Sequence, residues 1–256
     1  MVRRDSCLIR SLEPLFGLLW PLFLVWTSVV ALLWTTGLTA EQITAAIANP
    51  GLREALLAIF RAADALWLLL AVANLYLALA ERVGLATARM WAIVIVATGA
   101  VIALASVRTG WPLGPVLYTT HLGMKLGGVS LGWPLWWFVV VVGGRMLAER
   151  LLPRASHPQL ALATGVLAFL TQINLEPLAW KVRLFWFWYA PGTHLAGQPL
   201  WRNYATWWLV ATVLTFLLRE RQVAAAGRPP QWRTALILIL MNAVFVLTHI
   251  AVALRA

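Results

Sequence analysis

Charged residues, and acidic ones above all, are scarce in this sequence. Asp and Glu together number nine among 256 residues, and charged residues of both signs make up 11%, whereas soluble domains usually carry about 25%. Hydrophobic residues reach 62%, and the mean hydropathy is +0.81. So few charges cannot cover that much apolar surface in water, which excludes a soluble domain. The composition predicts a single integral membrane domain over residues 1–256.

Cysteine and lysine are also nearly absent. The single cysteine, Cys7, excludes an intrachain disulfide and a cysteine-based metal site. The two lysines, Lys125 and Lys181, lie in predicted loops, so no predicted span offers the buried lysine that a retinal Schiff base requires. Phosphate-binding Gly-Lys-Ser/Thr, nucleophilic Gly-x-Ser-x-Gly and haem-binding Cys-x-x-Cys-His motifs are missing too. The function therefore does not rest on any of these motifs.

The twenty basic residues are spread along the chain. They give a formal net charge of +11, but they occur singly or in pairs between apolar runs, not as a patch interleaved with aromatic residues. This pattern argues against nucleic-acid binding. Basic residues that flank spans are favoured by insertion topology and by anionic headgroups. We therefore expect membrane lipids, and no nucleic acid, among the partners of this protein.

Seven apolar segments approach or exceed the roughly 20 residues that a helix needs to cross a bilayer. They cover approximately 14–35, 55–80, 88–107, 130–147, 160–180, 203–218 and 234–254. The first is interpreted as a retained span, because it is too long for the apolar core of a signal peptide and no cleavage site follows it. The sequence thus predicts an all-α, polytopic transmembrane helix bundle of about seven spans.

The basic residues also predict the orientation of the bundle. Twelve Lys and Arg residues lie at the N-terminus and in the loops on its side, against seven on the opposite side. Because loops rich in Lys and Arg stay in the cytoplasm, we expect a cytoplasmic N-terminus and a location in the cytoplasmic (inner) membrane.

Two predicted loops, 108–129 and 181–202, are long and rich in Gly, Pro and Trp. Parity of the spans places both on the face opposite the N-terminus. Ten of the sixteen tryptophans fall between Trp111 and Trp208. This clustering is typical of an aromatic belt at the membrane interface, and it also suits a cavity at membrane depth, where irregular backbone is tolerated only if it is buried or lines a cavity.

Charged residues inside predicted spans are costly and often functional. Arg61 and Asp64 are three residues apart on the second predicted span. They therefore share a helix face and can pair with each other. The favoured interpretation is a structural ion pair near one interface.

A second polar group lies late in the fifth predicted span. Gln172 and Glu176 are four residues apart on one helix face, and Pro177 loosens the helix just beyond them. A carboxyl group at that depth, in an apolar and aromatic setting, is expected to keep its proton near neutrality, as a general acid must. The alternative is that Glu176 reaches the interface or pairs with Lys181 or Arg183.

Two histidines, His121 and His194, lie one in each long loop, with Tyr118 and Asn203 nearby in sequence. Two histidines and a glutamate are a possible metal-ligand set. However, no HxxH or HExxH spacing supports such a site, and histidines in these positions more often form interfacial hydrogen bonds. No metal site is expected.

Two blocks of motifs resemble a known family. The first block is Thr109-Gly110-Trp111-Pro112-Leu113-Gly114, Tyr118-Thr119, Leu122-Gly123 and Val129-Ser130-Leu131. The second is Gln172, Glu176-Pro177, Trp186-x-Trp188, Gly197-x-Pro199-Leu200 and Asn203-Tyr204. In order and spacing these blocks, which cover about residues 107–208, resemble the membrane carotenoid-biosynthesis family of the bisanhydrobacterioruberin hydratase and carotenoid 1'-hydratase type.

The sequence departs from the pattern of that family at several positions. The family has aspartates where Gln172 and Glu176 stand here, and a tyrosine where Val116 stands. Asn203 is one residue further from Gly197 than in the family pattern. Glu176 is thus the acid that survives, and the resemblance identifies a divergent member.

The resemblance implies a hydro-lyase reaction. Water adds to the terminal carbon–carbon double bond of an acyclic carotenoid end group by acid catalysis and gives a tertiary alcohol, and no cofactor is involved. A carotenoid or another isoprenoid lipid is the implied substrate, and other enzymes of the carotenoid pathway are candidate partners. Two alternatives stay open, a non-catalytic membrane protein that binds or carries such a lipid and an enzyme that acts on another isoprenoid lipid.

The same resemblance, together with the chemistry of each side chain, suggests roles for ten residues. Glu176 is the expected proton donor, assisted at the catalytic centre by Gln172, Tyr118 and Asn203. Aromatic faces would stabilise a carbocation, and polar side chains would hold the substrate or water. The expected binding residues are Trp111, His121, Asn174, Trp186, Trp188 and His194.

Overall fold

The computed structural model describes residues 2–189, 197, 199–218 and 232–255, with side chains from Gly17 onward. His194 lies outside the described residues. Helices dominate the structure. By length and composition, five helices in the described part of the chain can cross a membrane, and they contain the segments Gly17–Thr36, Ala63–Val83, Leu85–Thr109, His157–Lys181 and Trp232–Ala253.

The elements follow one another in three groups. The first group is α1 (Val2–Thr36), α2 (Ala40–Thr44), α3 (Pro50–Arg61), α4 (Ala63–Val83) and α5 (Leu85–Thr109). The second is β1 (Val116–Tyr118), β2 (Lys125–Leu126), β3 (Val129–Ser130), α6 (Gly132–Phe138), a π-helical turn (Val139–Gly143) and α7 (Gly144–Leu151). The third is α8 (His157–Lys181), β4 (Trp186–Trp188), α9 (Trp201–Leu217) and α10 (Trp232–Ala253).

The predicted spans correspond to helical segments, with one clear error. The prediction of one continuous span over 55–80 is wrong, because α3 ends at Arg61 and α4 begins at Ala63. Between them Ala62 has φ −89° and ψ 5°, which interrupts the α-helix. The fourth predicted span corresponds to the helical run 132–151 and the sixth to α9, which is 17 residues long. Neither segment is among the five long apolar helices.

The helical run 132–151, formed by α6, the π-helical turn and α7, lies at the centre of the bundle. It contacts α4, α5, α8, α9 and α10. All residues from Val139 to Ala148 are buried. Apart from Arg145, which pairs with Glu149, these buried residues are small or apolar on every face. Such a composition is typical of a central helix, and it explains why this segment is predicted as a span.

Glycines allow close approach at two helix contacts. A Cβ atom at Gly165 of α8 would lie 2.0 Å from Oγ1 of Thr212 and 2.7 Å from the backbone oxygen of Trp208, both on α9. At Gly99 of α5, a Cβ atom would lie 2.5 Å from the Trp137 ring. Small residues at such contacts let helices pack tightly where apolar burial alone does not drive association. Helices α8 and α9 both contribute side chains to the candidate site.

The two long loops meet in a short antiparallel sheet. Strands β1 and β4 pair in the register Val116 with Trp188, and Tyr118 with Trp186. Side chains alternate along each strand, so these four residues are buried while the residues between them are exposed. Gly114 precedes β1 with φ +132°, and a Cβ atom there would lie 3.0 Å from the Trp188 ring. The two motif blocks are therefore packed directly against each other.

Candidate active site

Glu176 lies at the centre of a hydrogen-bond network inside the bundle. Its side chain is fully buried. Oε1 accepts a bond of 2.9 Å from the indole Nε1 of Trp186 and another from the indole Nε1 of Trp188. Oε2 accepts a bond of 2.9 Å from Nδ2 of Asn203 and another from Nε2 of Gln172. Four N–H donors thus converge on one carboxyl group.

Three elements place these donors by simple local rules. Gln172 precedes Glu176 by about one turn of α8, so the two side chains lie on the same face. The alternation of β4 directs Trp186 and Trp188 to the same buried side. Asn203 lies in the first turn of α9, which packs along α8. The network therefore joins two helices and the inter-loop sheet.

Glu176 lacks a cationic partner within the described part of the chain. The ion pairs found there involve other acids. The electrostatic environment of the Glu176 carboxyl group is set instead by its burial and by its hydrogen-bond donors. A buried carboxylate without a cation is costly unless hydrogen bonds stabilise it. The four N–H donors supply that stabilisation.

The two oxygens of Glu176 differ in what surrounds them. Oε1 faces two indole N–H groups, which can only donate. Oε2 faces the amides of Gln172 and Asn203, and each amide has a donor end and an acceptor end. The amide oxygens, Oε1 of Gln172 and Oδ1 of Asn203, are buried and have no partner among the described residues. Because an amide can turn its oxygen toward Oε2, the network can hold a proton on Oε2 as well as an ionised carboxylate.

An aromatic cluster adjoins this network through Trp186. It consists of Tyr118, Trp133, Trp137, Trp186 and Trp207, which are all less than 2% exposed. Trp133 packs edge-on against Trp186 and Trp207, with ring centroids 4.7 and 5.3 Å apart, and Trp137 stacks on Trp207 at 3.9 Å. The ring of Tyr118 lies 5.3 Å from that of Trp133. Electron-rich ring faces of this kind attract cations.

Tyr118 also belongs to the electrostatic surroundings of Glu176. Burial raises the pKa of the Tyr118 phenol well above its ordinary value, and the charge of Glu176 acts in the same direction. The hydroxyl oxygen is buried and has no hydrogen-bond partner within the described structure. Tyr118 is therefore a neutral phenol with a free polar end next to the aromatic cluster.

Five of the residues expected at the site come together as proposed from the sequence. These are Glu176, Gln172, Asn203, Trp186 and Trp188. Tyr118 joins them through its ring, whose centroid lies 6.4 Å from that of Trp186.

Other expected residues lie elsewhere. Trp111 is 62% exposed, and His121 is exposed in a turn. Asn174 lies on another side of α8, where its Nδ2 donates to Asn242 at 3.2 Å. Among the described residues no group of three His, Cys, Asp or Glu side chains is close enough to hold a metal ion.

Sequence reasoning missed three tryptophans of the aromatic cluster. Trp133 and Trp137 are four residues apart, and Trp207 follows Asn203 by four residues. Such spacings place side chains on one face of a helix. The helical period is therefore the signal by which Trp133, Trp137 and Trp207 could have been assigned to the site.

The predicted ion pair between Arg61 and Asp64 is wrong. Arg61 pairs instead with Glu41 of α2, with Nη2 and Oε1 2.8 Å apart on the surface. This contact lowers the pKa of Glu41 below its ordinary value. The interruption at Ala62 is the physical reason, because a spacing of three places side chains on one face only within a continuous helix.

Asp64 is buried and is bound by residues from distant parts of the chain. Its Oδ2 accepts hydrogen bonds from Nε of Arg183, at 3.1 Å, and from Nη2 of the same guanidinium. Its Oδ1 accepts a bond of 2.8 Å from the indole Nε1 of Trp34. Arg183, which the sequence offered as a partner for Glu176, thus belongs to a different carboxylate.

Residues 63–256 match the family of carotenoid biosynthesis proteins. The chain belongs to this family. The matching region begins with α4 and contains both Asp64 and Glu176, and it confirms the resemblance found in the motifs. Bisanhydrobacterioruberin hydratase from Haloarcula japonica is 37% identical to this carotenoid biosynthesis protein over 119 residues. These residues are 45% of this chain and 39% of that relative, so the match spans well under half of its length. No solved structure matches the chain.

Proposed function

We propose that this protein is a carotenoid hydratase. It adds water to the terminal carbon–carbon double bond of an acyclic carotenoid end group and forms a tertiary alcohol. Membership of the carotenoid biosynthesis family and the partial similarity to a protein named as a hydratase support the proposal. The observation that carries it is the buried Glu176 carboxyl, which has four N–H donors and an aromatic cluster around it.

Glu176 acts as the general acid in this proposal. The proton on Oε2 passes to the less substituted carbon of the double bond, and a tertiary carbocation forms. As the proton leaves, negative charge develops on a carboxyl group whose Oε1 already faces the indole N–H groups of Trp186 and Trp188. The amides of Gln172 and Asn203 can then turn their NH2 groups to Oε2. Preorganised donors aimed at developing charge lower the barrier, since they bind the transition state better than the ground state. The faces of Trp133 and Trp186 stabilise the cation.

The polar groups beside Glu176 hold and orient the proton donor. Gln172 and Asn203 present their amide oxygens or their NH2 groups to Oε2 according to whether it carries the proton. Tyr118 contributes a neutral hydroxyl close to the same aromatic cluster. The reaction requires no redox step, because addition of water leaves the net oxidation level of the pigment unchanged.

The membrane arrangement follows from the same proposal. We infer that the helical run 132–151 and α9 also cross the bilayer, which gives seven spans with a cytoplasmic N-terminus in the cytoplasmic membrane. A long polyene then approaches from the lipid between helices and brings one end group to the buried acid. Lipid-facing side chains of α5 and α9, such as Ile93, Val101 and Leu209, are exposed and apolar.

Expression of the full chain in a host that accumulates lycopene tests this function. We expect a new pigment heavier by one water, and Glu176→Gln should abolish it while the protein still accumulates. Glu41→Gln is the matched control, because that acid is exposed and paired at the surface. If the wild-type chain leaves lycopene and other acyclic carotenoids unchanged, the hydratase proposal is wrong.

One departure from the family pattern favours a second candidate function. Where the family has an aspartate, this chain has Gln172, which leaves Glu176 as the acid of the network. A protein that binds or carries a carotenoid or another isoprenoid lipid needs the aromatic cluster but no proton donor. In that case the purified protein would retain unaltered pigment, and Glu176→Gln would leave the amount of bound pigment unchanged.

A further inference from the structure

A second buried carboxyl group, Asp64, lines a cavity that Trp186 also lines. Asp64 lines a small cavity together with six aromatic rings and three leucines, and one of these rings is Trp186. The indole N–H of Trp186 meanwhile donates to Oε1 of Glu176 at 2.9 Å. Trp186 therefore lines the cavity that holds Asp64 and also binds Glu176 through its N–H.

The two acids differ in their electrostatic partners. Asp64 is paired with the guanidinium of Arg183, whereas Glu176 has only neutral N–H donors within the described structure. A pair of carboxyl groups in contrasting environments is the usual arrangement for one acid and one base in the same reaction. This contrast gives Glu176 the role of proton donor and leaves Asp64 as a carboxylate.

Asp64 retains the capacity to bind one more hydrogen-bond donor. Its Oδ2 accepts both bonds from Arg183, whereas within the described part of the chain its Oδ1 accepts one bond, from Trp34. A carboxylate oxygen has two acceptor positions. Among the described residues, one acceptor position on Oδ1 is thus unfilled.

The same cavity contains a matching donor. Trp136 lines it, and the buried indole N–H of Trp136 has no partner in the described structure. The space open to the centre of a water molecule is about 20 Å³, and about 10–15 Å³ is enough for one water. A water in this space would need Trp136 as its donor and Asp64 as its acceptor to have the two polar partners that a buried water requires.

We propose that Asp64 is the second catalytic carboxylate of this protein, which holds the attacking water in this cavity and takes its proton. The assignment rests on the proposed hydratase function. Arg183 and Trp34 are positioning residues, because they hold Asp64 and do not contact the reacting atoms. The end group of the substrate would lie beside Trp186, between the two acids.

The steps of this reaction balance. The Glu176 proton bonds to the less substituted alkene carbon, whose π electrons form the new C–H bond and leave a tertiary cation. The oxygen of the water donates an electron pair to that cation and forms the C–O bond. One O–H bond of the water breaks, and its proton passes to Asp64. Release of that proton to solvent and reprotonation of Glu176 restore the enzyme, so the net change is addition of one water.

A paired substitution separates catalysis by Asp64 from its structural ion pair. Asp64→Asn alone leaves the Arg183 charge without its partner, so the test combines Asp64→Asn with Arg183→Gln in the full chain, expressed in the lycopene-producing host. We expect the double variant to accumulate as the wild type does and to form at least about 100-fold less hydrated pigment, since a positioned acid or base contributes about 10²–10⁴. The matched control, Glu41→Gln with Arg61→Gln, removes an exposed ion pair and should leave hydration unchanged.

Deuterium uptake in D2O separates the two proton transfers. The double variant should still exchange deuterium into the end group of lycopene, because Glu176 protonates the alkene and the cation then loses a proton again. Glu176→Gln should show neither hydration nor uptake. If the double variant hydrates lycopene as well as the wild type does, the proposal for Asp64 is wrong, and the hydratase function is unaffected. Loss of both hydration and uptake in a protein that accumulates normally overturns the role of Asp64 as proton acceptor.

Trp136→Phe tests the same water site without touching either acid. It removes the indole N–H and keeps an aromatic ring in the cavity. We expect about tenfold less hydrated pigment at unchanged protein abundance, which corresponds to about 1.4 kcal/mol. If the Asp64 variants fail to accumulate, this variant decides the matter, because unchanged hydration in Trp136→Phe would show that the cavity does not hold the reacting water.

Discussion

Removal of the Glu176 side chain should destabilise the whole bundle, not only the reaction. In Glu176→Ala the four N–H donors that now bind the carboxyl group lose their acceptor inside the core. Each buried donor left without a partner costs about 1–3 kcal/mol, so the total is about 4–12 kcal/mol. The net stability of a folded protein is about 5–15 kcal/mol. We therefore expect Glu176→Ala to accumulate poorly in the membrane.

Glu176→Gln should keep the fold, because the amides around it can adapt. The new amide oxygen can accept from Trp186 and Trp188, as Oε1 does now. Its NH2 group then faces Gln172 and Asn203, whose amide oxygens have no partner in the part of the chain that the structure describes. The amide thus keeps a partner for each of the four neighbouring groups, and it avoids the cost of burying a charge whenever the carboxyl group is ionised. The stability of this variant should stay close to that of the wild type.

Thermal denaturation of the detergent-solubilised protein measures this difference. The fraction that remains monodisperse after heating is followed by size-exclusion chromatography for the wild type and both Glu176 variants. Glu41→Ala is the control, because Glu41 is exposed, and it should behave as the wild type does. Equal abundance and equal midpoints for Glu176→Ala and Glu176→Gln would refute the argument that Glu176 organises the four donors.

Two further predictions concern packing. Gly165→Ala should destabilise the protein by about 1–3 kcal/mol, because a Cβ atom there would lie 2.0 Å from Oγ1 of Thr212; Gly17→Ala, which meets nothing within 4 Å, should not lower the thermal midpoint. Trp207→Ala should cost about 3–5 kcal/mol, because this fully buried ring stacks in the aromatic cluster. Trp201→Ala, at a position 80% exposed, should stay within about 0.5 kcal/mol. A Trp207→Ala midpoint equal to that of Trp201→Ala would contradict the assignment of Trp207 to the core.

Local periodicity made part of the site predictable. The spacing of Gln172 and Glu176 on a helix, and the Trp-x-Trp alternation of β4, each place two side chains on one face. The motif blocks added Asn203 and Tyr118. The same periodicity gave a wrong pairing where the helix is interrupted. Arg61 and Asp64 lie on different helices and pair with different residues.

The sequence by itself determined the membrane class, the helical segments and the acid at the centre of the network, because these follow from apolar length, charge scarcity and short spacings. Only the tertiary structure decided which groups meet. Asp64 and Arg183 are 119 residues apart in the chain, and β1 meets β4 only because the bundle brings both loops to one end. Side-chain hydrogen bonds reach only about 3 Å, so partners at such separations are chosen by the packing of the helices and leave no periodic signal in the sequence.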